Sequence, residues 1–116
     1  MSELAKKLMD GKRVITGGFT IPVSGTTKSV SIPALAGCDY FCVYPNSSGI
    51  FNPDFNGAVS IVKNASWIFA IGVNGNDQIT VHTNVTFSSD GLLTITDTNY
   101  IVRFSQGRSY AYFGYK

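Results

Sequence analysis

Between Ile79 and Phe87 every second residue is apolar or β-branched: Ile79, Val81, Thr83, Val85 and Phe87 alternate with Thr80, His82, Asn84 and Thr86. A period of two sends successive side chains to opposite faces of an extended chain, so this segment reads as a half-buried strand. The same period holds from Gly11 onward. It predicts strands near residues 14–20, 27–32, 39–45, 58–63, 66–73, 78–87, 91–96, 99–104 and 109–115. Turn-forming residues punctuate them at Asn46 to Gly49, Asn74 to Asp77, Ser89 to Gly91, Asp97 to Asn99 and Gln106-Gly107. About eight to nine short strands with no intervening helices predict an all-β fold, an antiparallel β-sandwich of jelly-roll type. Two segments, Phe41 to Tyr44 and Trp67 to Ile71, are apolar on both faces. That pattern suits central strands covered on both sides, and it suits a subunit interface equally well.

The 116 residues allow one domain of about 100–200 residues and little more. Only residues 3–10 carry a helical pattern. Leu4 and Leu8, with Ala5 and Met9 beside them, recur at four-residue spacing, and Glu3 stands four residues before Lys7. Ser2 can cap the start of this short N-terminal helix and Gly11 can end it. Two turns do not persist alone in water, so the apolar stripe needs a surface to dock on. Charge sets the same segment apart. Lys6, Lys7, Lys12 and Arg13 outnumber Glu3 and Asp10, whereas residues 14–116 hold five basic and five acidic groups. The chain therefore divides into an N-terminal helix and basic arm over 1–13 and a neutral β domain over 14–116. Leu4, Lys7, Leu8, Met9, Lys12 and Arg13 are the expected partner-docking residues of that arm.

Most familiar chemistries find no foothold. A mixed-sign arm on a neutral body lacks the clustered Lys/Arg face that nucleic-acid binding needs. The longest apolar stretch, Trp67 to Val73, is well below the ~18 residues of a membrane-spanning helix. The first residues lack the apolar core of a secretory signal, so synthesis in the cytoplasm is expected. On that expectation the Asn-x-Ser/Thr triplets at Asn46, Asn64 and Asn84 reflect composition, not glycosylation. Cys38 and Cys42, four residues apart on one strand, would have Cα atoms ~13 Å apart at ~3.3 Å per residue, too far for a disulfide. They read as small packing residues. One histidine, His82, cannot complete a four-ligand zinc site; a general base there would need an orienting partner, which Asp77 or Asp90 could be only through tertiary contact, so it reads as a lone exposed strand residue. Gly17-Gly18 and Gly72 to Gly75 fit turns or bulges better than nucleotide loops. The Asn74 to Asp77 turn lacks the acidic spacing of a calcium loop. No catalytic residue, metal or cofactor is expected.

Aromatic residues are the remaining candidates. Phe51 and Phe55 lie in the longest expected loop, residues 46–57. Tyr110, Tyr112 and Tyr115 crowd the end of the chain with Tyr100, Arg103 and Arg108 near by. Tyr and Arg are enriched at interfaces, and tyrosine rings also stack on sugars. Alternation over 109–115 offers a third use, with Tyr110 and Tyr112 packed on one sheet face and Phe113 on the other. Periodicity does not separate these uses.

Five segments in order, Gly18-Phe-Thr-Ile-Pro, Ser29-Val-Ser-Ile-Pro, Tyr40-Phe-Cys-Val-Tyr, Phe87-Ser-Ser-Asp-Gly-Leu-Leu-Thr-Ile and Ser109-Tyr-Ala-Tyr-Phe-Gly-Tyr, span most of residues 14–116. This strand-and-turn pattern resembles small β-sandwich structural proteins and modules of tailed-bacteriophage virions. The resemblance implies a non-enzymatic virion component of the tail, tail tip or capsid surface. Its partners would be copies of itself, as a homo-oligomer, and other virion proteins. The absence of repeats and of a heptad stalk departs from fibre shafts. The alternative expectation is a carbohydrate- or receptor-binding module acting on a host-surface glycan.

Overall fold

The computed structural model describes residues 14–25, 27–46, 59–73, 78–98 and 102–116. The expected helix over 3–10 and the rest of the arm lie outside these residues. Among the described residues the chain forms nine strands and one short 3-10 turn at Pro33–Leu35. The strands are β1 (Val14–Thr20), β2 (Ser29–Ser31), β3 (Tyr40–Pro45), β4 (Ser60–Asn64), β5 (Trp67–Val73), β6 (Ile79–His82), β7 (Val85–Phe87), β8 (Leu92–Ile95) and β9 (Ser109–Tyr115). All pairings are antiparallel. The protein is all-β, as the period of two predicts.

Two sheets result. One has six strands in the order β1-β9-β3-β4-β5-β6, the other three in the order β2-β8-β7. The last strand, β9, sits between β1 and β3, pairing Val14 with Tyr115 on one side and Tyr40 with the same Tyr115 on the other. One face of each sheet contributes to a single apolar core. Phe41, Val43, Ile61, Ala70 and Tyr110 come from the large sheet, and Val85, Leu93 and Ile95 from the small one. Phe41 meets Phe87 across the sheets, with ring centroids 4.8 Å apart. Phe104 and Phe19 close the core at the opposite end by packing edge-on and parallel to the Tyr110 ring.

Two expected strands need correction. The segment 78–87 is not one strand. It divides at Thr83 and Asn84, where the Val85 amide donates to the Thr83 carbonyl at 2.9 Å and the chain passes from the large sheet to the small one. Alternation survives in the sequence, but the half before the crossing meets the large sheet with its polar side inward. Ile79 and Val81 are consequently 61% and 62% exposed, while Thr80 and His82 turn toward the small sheet. The segment 99–104 forms no strand over its described residues 102–104. Val102 and Phe104 are buried as an irregular turn, anchored by the Phe104 amide donating to the Thr27 carbonyl.

The β7–β8 connection shows why its turn residues are what they are. Gly91 has φ +97°, and a Cβ there would lie 2.7 Å from the Ile32 carbonyl oxygen. Only glycine combines that backbone conformation with that approach. The Ile32 amide in turn donates to the Gly91 carbonyl at 2.7 Å, which ties the turn to the chain leaving β2.

Candidate functional site: the outer face of the six-stranded sheet

On the face of the large sheet turned away from the core, aromatic and aliphatic side chains gather toward the end of the strands that holds Val14, Tyr115, Tyr40 and Trp67, while Thr16, Thr20 and Ser109 occupy the same face farther along β1 and β9. Alternation places Tyr115 and Phe113 of β9 beside Tyr40, Cys42 and Tyr44 of β3. Register then continues the rows through Asn64 and Val62 of β4 to Trp67 and Phe69 of β5. Val81 and Ile79 of β6 share this face but pair with Ile71 and Val73, past the rows of Trp67 and Phe69, and Val14 of β1 ends the first row at the other edge. Trp67 is 74% exposed and Val14 79%; Tyr40, Phe113 and Tyr115 are also exposed. Among these residues there is no charge.

The rings on this face are ordered by the strands beneath them. Tyr40 and Tyr115, directly paired across β3 and β9, stack at 5.2 Å with planes 12° apart. Tyr44 meets Phe113 edge-on at 6.2 Å. Trp67 follows the two-residue turn Ala65-Ser66, and with Asn64 these residues line a shallow cleft of about 260 Å³. Ala65 is held in the left-handed region at φ 54° while its amide donates to the Asp39 carbonyl and its own carbonyl accepts from Lys63 Nζ. Toward the other end of the strands the face is closed: Ser60 and Ile71, paired across β4 and β5, are buried although neither belongs to the core cluster.

Large apolar side chains exposed together on one face, unlike single ones, mark an interaction surface. Cys42 lies within it, half-buried between Val62 and Phe113, whereas Cys38 is fully buried before β3; both thiols are free. Burial raises the pKa of both. For Cys38 the nearby Lys116 and Lys63 oppose that rise in part. Neither is therefore an activated nucleophile.

The candidate residues named from sequence divide sharply. Leu4, Lys7, Leu8, Met9, Lys12, Arg13, Phe51 and Phe55 lie outside the described residues. Tyr110 is 1% exposed, and its hydroxyl accepts the Ser105 amide at 2.7 Å, so it is a core residue with no surface to offer a ligand. Tyr112 turns the same way, with its ring laid over Gly17 of β1 and 6.4 Å from Phe19. Only Tyr115 stands on the outer face. Trp67, Phe69, Tyr40, Tyr44 and Phe113 were not named as candidates. Their signal was the apolar character of both faces of two segments, which sequence alone read as coverage or as interface.

His82 has the partner that sequence did not supply. Its Nδ1 lies 3.2 Å from Asp97 Oδ2 and its Nε2 2.8 Å from the Thr80 hydroxyl. Lys28 Nζ donates to the Asp97 carbonyl at 2.5 Å, and Thr80 also reaches the Gly72 carbonyl at 3.4 Å. Hydroxyl, imidazole and carboxylate stand in the order of a nucleophile relay. The cluster also joins β6, the edge of the large sheet, to the segment that follows β8 in the small one. No protein-family model, curated protein or solved structure matches this chain.

Proposed function

We propose that this chain is a non-enzymatic structural component of a bacteriophage virion, belonging to the tail, tail tip or capsid surface, and that it assembles through the outer face of its large sheet. In this reading the two sheets are the layers of an antiparallel β-sandwich and the outer face is a subunit contact. The observation that carries it is the uncharged group of exposed aromatic and aliphatic side chains on that face, Val14, Tyr115, Phe113, Tyr40 and Trp67. Such a surface is unfavourable in water, at about 25 cal/mol per Å² of apolar area, and becomes favourable once covered. The virion assignment is supported by the order of strand and turn segments described above.

The occupant favoured here is a second copy of this chain. A face without charge has no need of an oppositely charged partner, and aromatic rings with Val and Ile beside them can pack against their own kind. Sedimentation of the intact protein tests this. The native protein is expected to be oligomeric, and Trp67→Glu with Phe69→Glu is expected to be monomeric with the same β-sheet circular dichroism. A native protein that stays monomeric at millimolar concentration overturns the reading.

One observation favours a second reading, a glycan-binding module. Exposed Trp67 borders the Asn64, Ala65 and Ser66 cleft and lies in one row with the Tyr40–Tyr115 stack. Aromatic faces beside amide and hydroxyl groups suit a sugar ring. A monomeric protein whose glycan-array signal disappears in Trp67→Ala would move the conclusion to this reading.

A further inference from the structure

Two of the five basic residues of the 14–116 body meet at one place. Arg103 and Arg108, with Thr27, Ser105 and Gln106, line a polar cleft of about 410 Å³. The cleft lies at the Thr20–Ser109 end of the β1–β9 ladder, the end away from the Tyr40–Tyr115 stack. It is therefore separate from the outer-face contact.

The walls are fixed before any ligand arrives. The Ser105 amide donates to the Tyr110 hydroxyl at 2.7 Å, a buried bond that pins the turn to the core. The Gly107 amide donates to the Ile21 carbonyl at 2.7 Å, and the Arg108 amide to the Ser105 carbonyl at 3.2 Å. Across the cleft, Gln106 Nε2 donates to the Gly25 carbonyl at 2.8 Å and the Phe104 amide to the Thr27 carbonyl. Gly107, at φ +77°, reverses the chain so that Arg103 and Arg108, five positions apart, border the same cavity. Binding to a preorganised wall avoids the cost of ordering it.

We infer that this cleft binds a small hydroxyl-rich molecule bearing one carboxylate or phosphate. Guanidinium groups present planar, paired donors that match the oxygens of such groups. The volume falls in the ~300–1,000 Å³ range of small-molecule sites and exceeds what a bare oxyanion fills. Thr27, Ser105 and Gln106 are the other described residues of the lining, and their hydroxyl and amide groups suit hydroxyl groups over an apolar body. A uronic acid and a sugar phosphate share this chemistry.

Calorimetric titration of the full chain with glucuronate, glucose 6-phosphate, glucose and inorganic phosphate tests the inference. At least one of the two acidic sugars is expected to bind, at least tenfold more tightly than either glucose or inorganic phosphate; which one identifies the source of the anion. Arg103→Gln with Arg108→Gln should weaken that binding at least tenfold, while the melting temperature and the sedimentation of the outer-face assembly stay unchanged. If the double variant is unstable, Arg103→Lys alone, which keeps the charge and loses the paired donors, should still weaken binding. The inference is overturned if neither acidic sugar binds, if inorganic phosphate binds as tightly, or if a folded arginine variant binds as the native protein does.

Discussion

Tyr40 and Tyr115 stack face to face on the side of the large sheet that does not face the core. Because they are a direct cross-strand pair, their contact couples β3 to β9 whether or not a partner covers them. A double-mutant cycle with Tyr40→Ala and Tyr115→Ala is expected to give a coupling of about 0.5–1.5 kcal/mol in urea unfolding. The same pair should matter more in the assembled form, with at least one single substitution weakening association by about 2 kcal/mol.

Removing the hydroxyl of Tyr110 breaks its bond to the Ser105 amide. Tyr110→Phe keeps the rings of Phe19 and Phe104 packed but strands a buried donor, so a loss of about 1–3 kcal/mol is expected with an unchanged denaturant slope. The same variant should loosen the arginine cleft, read as faster amide exchange at Ser105.

Ser60 presents the opposite case. Its hydroxyl is buried with no hydrogen-bond partner among the described residues. Ser60→Ala removes an unmet polar group at almost constant volume, and is expected to cost nothing and to gain up to about 1 kcal/mol. Thermal unfolding of the single variant measures it.

Ala65 is held at φ 54°, a conformation that costs an L-residue about 1–2 kcal/mol. Glycine avoids that cost but loses more entropy on folding, about 0.5–1 kcal/mol. Ala65→Gly should therefore raise stability modestly, by about 0.5–1 kcal/mol, with the β4–β5 register preserved in amide exchange.

Burial raises the pKa of Cys38 and Cys42 above the ordinary thiol value. Below the unfolded-state pKa both states keep their thiol protons and pH has no effect through these groups. As pH climbs past that value toward the higher folded one, the unfolded chain ionises first and stability falls. A Cys38→Ala, Cys42→Ala variant should lose this alkaline slope. In the native protein both thiols should react more slowly with a disulfide reagent near pH 8 than in denaturant, where two equivalents titrate.

Sequence pattern was sufficient where a strand keeps one sheet on one side. β1, β3, β5 and β9 fall within a residue or so of the expected limits because each stays in one sheet along its whole length. The segment 78–87 defeated the same rule. Its alternation is unbroken, yet which side faces inward depends on the sheet each half joins, and that is decided by contacts far away in sequence. His82 follows from the same fact, since its partner Asp97 reaches it only because the chain crosses at Thr83. The arginine cleft was equally hidden. Arg103 and Arg108 were visible beside the tyrosines, but nothing short of the Gly107 turn and the Tyr110 anchor brings them to one cavity. Phe41 to Tyr44 and Trp67 to Ile71 carried the outer face in plain sight, and only the structure shows that much of their second side is left open.

The place of β9 between β1 and β3 bears on how the molecule is made. Every hydrogen bond that β1 forms within the large sheet is to β9, about a hundred residues later in the chain. On the ribosome, the N-terminal strand has no partner until the final tyrosines emerge. Until then β1 and β3 each present an unpaired edge, the kind of surface on which nascent chains join one another. Closure across so long a stretch of chain is slow. The step that completes the sheet is thus also the one most exposed to error, and a chain cut short by even a few residues at β9 would lose the join between the strand at one edge and the rest of the sheet.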